Sequence, residues 1–399
     1  MPNEETLTFI RNHRKDDVKR LALKTAPPGV DLPAALQQIE GWQTAVRKLP
    51  SWAAHEGLLY PPRLSMEQCS SEATARYKRQ VISRLSAGTA KDACRTFIDL
   101  TGGFGIDFSF LAGPFQRAVY MERQPELCRI ARHNFHLLGL PQAEVVETDS
   151  TRFPESWPEA DWCFIDPARR DTAGRKTVAI EDCEPDLNVL QERIRAKARF
   201  CLVKLSPMLD IRAILRTLQH VTEIHAVSVQ GECREVLAVM TRERPEQEVT
   251  FHCVNLQTAQ PDFVFTQAEE EEAQCLYGPP ARYLYEPNAS VMKCGGFCCI
   301  GLQYGLQKLH PLSHLYTSDA LRTDFPGRAF RIAASSGFGK KELKALIGDI
   351  RQANLAVRNF PDSVAGLRKR LRLKEGGDTY IFATTLTDGS HVLIRCTKP

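Results

Sequence analysis

No stretch of the 399 residues comes near the roughly 18 consecutive apolar residues that a membrane-spanning helix needs, so no such helix is expected. The amino end, MPNEETLTFIRNHRKDD, lacks an apolar core and carries acids early, so no secretory signal is expected and the chain is placed in the cytoplasm. Long repeats and low-complexity segments are missing too. Thirteen cysteines are present, but their spacing lacks a metal pattern. In CGGFCC, Cys294 and Cys298 meet the first gap of the C-x3-C-x2-C pattern of radical iron–sulfur enzymes, and Gly301 stands where the third cysteine belongs. No second C-x2-C pair accompanies the cluster, as a zinc site would require, so no metal is expected and most cysteines read as buried reduced thiols.

What is present suffices for two or three packed domains: 43% hydrophobic and 25% charged residues. Charge is uneven. Residues 321–399 hold 15 Lys+Arg against 7 Asp+Glu, while the chain as a whole carries only +4. A basic end on an otherwise acidic chain fits a polyanion partner or a solvated basic face.

Residues 1–90 read as helical, with a Pro-Pro-Gly break at Pro27–Gly29, a second helix near 36–49 and a third starting at Ser70 or Ser71. Residues 94–241 alternate strand and helix. RTFIDL, AVYMER, EVVET, WCFID and FCLVKL read as parallel strands. EIHAVSVQ and EVLAVMT, separated by only GECR, read as a hairpin, because that gap holds no crossover helix. FHCVNL and FVFTQ look like strands, Glu269–Glu272 like a solvated helix face, and a short helix is placed after Pro287; no fold is assigned to 246–320. Residues 325–399 read as a compact α/β unit with a hairpin turn at Asp388–Gly389.

The first parallel strand runs into Thr101-Gly102-Gly103-Phe104-Gly105. A glycine loop between strand and helix is a tight turn or a nucleotide pocket. Here acids stand at the ends of three strands: Asp99, Glu122 followed by Arg123, and Asp149 followed by Ser150. In a doubly wound sheet those ends line one edge, where ligands bind. Glycine lets backbone approach a ligand. An acid at the second strand end can take both ribose hydroxyls, and one at the third can accept from an adenine amino group. The dinucleotide fingerprint G-x-G-x-x-G fails, because Phe108 occupies the third glycine position. Asp99 would repel a pyrophosphate but suits a ligand with a cationic amino group.

DLTGGFG, the acid of MERQ, the acid of ETDS and FIDPARR resemble the ordered motifs of class I S-adenosylmethionine-dependent methyltransferases. RNFP, LKEGGDTYIFATTL and YEPNASVMK extend the resemblance to a bacterial group with a THUMP-like C-terminal domain and a small ferredoxin-like insert. The resemblance implies an α/β fold: N-terminal helices (1–90), a Rossmann-like seven-stranded methyltransferase domain (91–245), a small ferredoxin-like or linker domain (246–322) and a basic α+β THUMP-like domain (323–399). It implies S-adenosylmethionine held by Asp99, Thr101, Gly102, Gly103, Gly105, Glu122, Arg123, Asp149 and Ser150.

Asp166-Pro167-Ala168-Arg169-Arg170 falls where amino-methylating relatives resemble D/N-P-P-aromatic, so Asp166, Pro167 and Arg169 are the expected acceptor residues. The aromatic is missing; Arg169 can stack through its guanidinium, and Arg169 and Arg170 read either as a salt-bridged pair or as phosphate contacts. The DPAR segment also resembles RNA 5-methyluridine enzymes, but those need a cysteine after the fifth strand, where this chain has Lys204-Leu205-Ser206-Pro207. Lys204 reads as a cation near the acceptor or as a side chain reaching solvent. GFGKKELK, Arg358, Phe360 and the RKRLRLK ridge (368–374) offer phosphate and base contacts. THUMP domains of RNA-modifying enzymes bind structured RNA, so the resemblance implies methyl transfer to a base nitrogen of tRNA or rRNA. A small-molecule or protein substrate, a packing role for the basic domain, and a donor-binding module without catalysis stay open.

Overall fold

The structure, a computed structural model, describes residues 2–87, 95–152, 159–169, 180, 183–348 and 350–399. Two compact units divide the chain: Met1–Val221 with Ala238–Pro245, and Thr222–Leu237 with Glu246–Pro399.

The first unit opens on helices. The apolar spacing of residues 6–24 suggests continuity, yet the helix Glu4–His13 stops and Val18–Leu21 starts afresh. Two aspartates cause the break: Asp16 takes the His13 imidazole at 2.8 Å, and Asp17 accepts the Arg20 N–H as an N-cap. Leu32–Lys48 is capped by Asp31, and Glu72–Ala87 follows Ser71, whose hydroxyl receives the Thr74 N–H. Trp52, Tyr60 and Met66 from these segments share a buried cluster with Phe104, Ile106 and Phe110, which belong to the glycine loop and its helix. Each such side chain removed from water contributes about 1.5–3 kcal/mol, so the N-terminal helices and the loop stand or fall together.

Five parallel strands follow: β1 (Thr96–Asp99), β2 (Arg117–Glu122), β3 (Ala143–Glu147), β4 (Ala160–Ile165) and β5 (Ala198–Leu205), in spatial order β5-β4-β1-β2-β3. The inner strands are apolar on both faces because helices cover both sides, whereas β3, at the edge, exposes Glu144 and Glu147. Being parallel, they deliver Asp99, Glu122, Asp149 and Asp166 to one edge. β6 (Val221–Val229) and β7 (Glu232–Thr241) form the expected hairpin. Its turn is tighter than the four-residue gap suggested: Gln230 and Gly231 both take positive φ (53° and 83°), the two-residue form that matches strand twist. Ala238–Thr241 lies beside β5 in the first unit.

In the second unit, β8 (Thr250–Leu256) pairs in parallel with β6, and β9 (Phe263–Thr266) pairs antiparallel with β8. A seven-stranded sheet follows, built from β10 (Tyr283–Pro287), β11 (Gln307–Lys308), β12 (Tyr316–Ser318), β13 (Gly327–Ser336), β14 (Asn354–Arg358), β15 (Tyr380–Thr385) and β16 (His391–Thr397). Its order is β11-β12-β10-β13-β16-β15-β14, so region 283–326 and the C-terminal module share one sheet. The Asp388–Gly389 turn closes β15 on β16, with Gly389 at φ 81°. The CGGFCC segment is no set of three thiols: Cys298 forms a disulfide with Cys275, and Cys294 and Cys299 remain reduced. His310 and His314 have H-x3-H spacing nearby but diverge. The His310 Nδ1 receives the Leu312 N–H, while His314 stacks on Phe297 at 3.6 Å. Among the described residues, no helix is long and apolar enough to cross a membrane.

Candidate active site

After β1 the chain passes through a glycine loop, and three hydrogen bonds hold it, two to the end of β2 and one closing a turn. Gly102 N–H donates to Met121 O at 2.8 Å, Gly103 N–H to Glu122 Oε2 at 2.9 Å, and Gly105 N–H to Gly102 O at 2.9 Å. Gly105 sits at φ 88°, and a Cβ there would meet the Phe135 ring at 2.9 Å; a Cβ on Gly102 would enter the Tyr120 ring at 2.2 Å. Both positions are closed to any larger residue. Gly103 differs: its Cβ position finds only Thr101 O, at 3.7 Å, so the loop leaves open space there.

Glu122 is buried at the end of β2 and accepts from two backbone amides, Gly103 and Gln124 (2.9 and 2.8 Å). Asp99 is 1% exposed and accepts the Thr101 N–H at 2.9 Å. Burial pushes its carboxyl well above the usual range; the Thr101 hydrogen bond opposes this, and the neighbouring Asp107, Asp166 and Glu122 add to it. A cation beside it would offset that cost. The Thr101 hydroxyl receives the Asp166 N–H at 2.6 Å, so one residue ties the ends of β1 and β4. Asp149 is turned onto the Thr151 N–H and hydroxyl (2.9 and 2.7 Å), with Ser150 buried beside it. Arg123 is exposed and pairs with Glu184 at 2.9 Å.

Beyond β4, the Lys204 ammonium meets Asp166 Oδ2 at 2.5 Å. Lys204 therefore turns inward to Asp166 rather than to solvent. Ser206 bonds the Met208 N–H, and Pro167 sits buried after Asp166. Arg169 contributes a short backbone pairing with Cys183. Its side chain, and all of Arg170, lie outside the described residues.

A second network was not foreseen. Lys78, fully buried on the Glu72–Ala87 helix, pairs with Asp107 at 3.1 Å and donates to Ser70, whose hydroxyl donates to Asp107 at 2.7 Å. Burial would raise the Asp107 carboxyl, but Lys78, then Lys204 and Ser70, hold it below the usual range. Asp107 opens the helix that follows the glycine loop, so this network anchors the loop from beneath. Lys78→Met strands a buried carboxylate and is expected to cost about 3–5 kcal/mol, read as a fall in the urea midpoint at unchanged m.

The C-terminal module keeps part of its expected basic surface. Lys369, Arg370, Arg372 and Lys374 are exposed while Leu367, Leu371 and Leu373 are buried, and the Arg370 guanidinium lies 4.0 Å over the Phe338 ring. Two expected phosphate contacts are already engaged. The helix start after GFG is met by its own Glu342, which accepts the Gly339 N–H at 2.9 Å, and Arg358 is bound to the buried Glu286 at 2.6 Å.

A family model for ferredoxin-like domains matches residues 283–326, and a THUMP domain-like model matches residues 327–398. The chain is similar to the crystal structure of a candidate methyltransferase from Porphyromonas gingivalis W83, at 35% identity and TM-score 0.83, covering 99% of this chain and 97% of that one. It is also similar to uncharacterized S-adenosylmethionine-dependent methyltransferases of two Mycobacterium tuberculosis strains, H37Rv and CDC 1551, each 25% identical over 339 residues that cover 84% of this chain and 87% of the relative.

Proposed function

Since the chain belongs to the class I S-adenosylmethionine-dependent methyltransferases with a THUMP-like C-terminal domain, we propose that its acceptor is a base nitrogen of structured RNA, of the tRNA or rRNA class, methylated in the cytoplasm. The chain is a methyltransferase enzyme, and S-adenosylmethionine is its donor. The observation that carries the RNA reading is the exposed ridge Lys369, Arg370, Arg372 and Lys374 on the THUMP-like module, in a segment whose cations outnumber its acids 15 to 7. Spaced cations beside an aromatic bind a phosphate backbone, each neutralised phosphate steepening the salt dependence.

The donor supplies an electrophilic methyl group on a cationic sulfur. The site fits such a ligand: a desolvated Asp99 for which no ion pair is found among the described residues, an open space at Gly103, and Glu122 already braced by two amides. Asp99 would hold the donor's amino group and Glu122 its ribose hydroxyls. Asp149, flanked by Ser150, would take the adenine amino group, while Thr101, Gly102 and Gly105 shape the loop. Arg123 would act at the rim. Asp166, with Pro167 and Arg169, would orient the acceptor: Lys204 fixes Oδ2, and Oδ1 accepts from the target N–H, so the nitrogen lone pair faces the methyl group. Orientation of this kind supplies much of the rate enhancement. Nitrogen attack needs no covalent enzyme intermediate, in keeping with Lys204-Leu205-Ser206-Pro207, a segment without cysteine.

The test is transfer of tritiated methyl from S-adenosylmethionine into extract from cells lacking the protein, with the product split by ribonuclease and protease. Counts are expected to be lost to ribonuclease. K369E/R370E/R372E/K374E is expected to lower transfer at least about tenfold, with donor affinity unchanged, and to flatten the salt dependence. Counts that survive ribonuclease and fall to protease would overturn the RNA reading; donor binding without counts in any fraction would overturn the enzyme's assignment to these cellular substrates.

A further inference from the structure

In the second unit, β6 and β8 run parallel with Glu223 opposite Thr250 and His225 opposite His252. Glu223 and His225 are two residues apart on one strand and so project from the same face; the register brings His252 alongside. The side chains converge. His225 Nε2 is 2.9 Å from Glu223 Oε2, His252 Nε2 is 3.9 Å from the same oxygen, and one ligand atom from each residue lies within 4.8 Å of the other two. The two imidazoles stack in parallel, centroids 4.4 Å apart. His225 is completely buried and Glu223 is 9% exposed.

We propose that Glu223, His225 and His252 form a binding site for one divalent transition-metal ion of the zinc class. Two imidazoles and a carboxylate are a zinc donor set, and imidazoles disfavour magnesium and calcium. In a tetrahedral site with bonds of about 2.0–2.1 Å, ligand atoms stand roughly 3.3 Å apart. The Glu223–His225 separation is already inside that distance, and the remaining pairs, within 4.8 Å of one another, draw together when the ion binds. The metal takes the place of the hydrogen between His225 Nε2 and Glu223, with the imidazole proton moving to Nδ1, and protonation of the imidazoles competes with the ion, so binding weakens as pH falls. The site pins β6 to β8 well away in chemistry from methyl transfer, and it does not depend on the RNA reading.

The full-length protein, stripped with chelator, is titrated with Zn²⁺ by calorimetry and with Co²⁺ by visible absorption. One equivalent is expected, with tetrahedral cobalt bands and no thiolate charge-transfer band. Zn²⁺ is expected to raise Tm in the parent protein. His252→Gln, at the partly exposed end of the cluster, is expected to weaken binding by about 100-fold or more and to remove the Tm gain, while leaving the metal-free melt near that of the parent; Glu223→Gln repeats the loss. The unit also holds three neighbouring thiols, Cys233, Cys253 and Cys294. A thiolate band that disappears in Cys294→Ser would assign the metal to them and overturn the proposal. Absence of a saturable equivalent would overturn it as well, leaving Glu223 and His225 as a buried hydrogen-bonded pair.

Discussion

Asp166→Ala is expected to lower kcat about 1,000-fold while the dissociation constant for S-adenosylmethionine stays within about threefold. The separation follows from position. Asp166 is hydrogen-bonded to the donor loop through its own backbone N–H, which donates to the Thr101 hydroxyl, and alanine preserves that bond. What alanine removes is the carboxylate held at 2.5 Å by Lys204, the group assigned to the acceptor. Asp166→Asn keeps shape and hydrogen-bonding capacity but loses the charge that fixes Lys204, so it is expected to fall between the parent and alanine. Single-turnover transfer and equilibrium donor binding, measured on the same preparations, check both halves. A parallel loss of donor affinity would move Asp166 into the donor site. An unchanged kcat would remove it from the chemistry altogether.

Asp99→Asn is expected to give a more stable protein that no longer binds its donor well. Asparagine keeps an oxygen for the Thr101 N–H but carries no charge. Burial raises the Asp99 carboxyl well above its ordinary value of 3.8. A group whose pKa rises on folding helps the fold most below its unfolded pKa, and that help is lost as pH climbs through the folded value. The parent protein therefore carries a penalty at neutral pH that the variant lacks. The Tm of Asp99→Asn should exceed that of the parent by about 2–4 °C per kcal/mol of relieved penalty at pH 8, with the gap closing toward pH 4. Donor affinity should drop about 100-fold or more, because the cationic amino group loses its only assigned counter-charge. Melts across pH and donor titrations test the two effects independently. If the variant were less stable at every pH, Asp99 would be a structural acid, not one held in reserve for a ligand.

Asp99, Glu122, Asp149 and Asp166 were legible because each ends an apolar run, and parallel strands carry every such end to the same edge. The glycines were legible for a related reason: three in four positions after a strand leave few other conformations. Lys78 was not. It lies on an amphipathic helix with charges all around it, where a lysine reads as solvated, and its partner Asp107 is 29 residues away across two elements. The direction of Lys204 stayed open because a strand-end lysine can reach either way; only the position of Asp166 settles it. Glu342 shows the opposite error. Glycines and lysines at a helix start suggested phosphate, but the acid three residues in already occupies the Gly339 N–H. Glu223, His225 and His252 escaped notice because an E-x-H alternation inside a strand is ordinary, and their convergence depends on a register between strands that no local spacing encodes.

Ser70, Lys78 and Asp107 also bear on how such a protein could be inherited in pieces. The donor motifs begin at Asp99, and a gene fragment starting just upstream of β1 would contain every one of them. Such a fragment would carry Asp107 without Lys78, its ion-pair partner, and Phe104 and Phe110 without Trp52 and Tyr60 to cover them. Its glycine loop would be encoded but unsupported. The smallest heritable unit able to hold the donor thus reaches back to the helices that carry Trp52, Ser70 and Lys78. Recombination that exchanged the Rossmann-like segment alone would yield chains with all the recognisable motifs and no working loop.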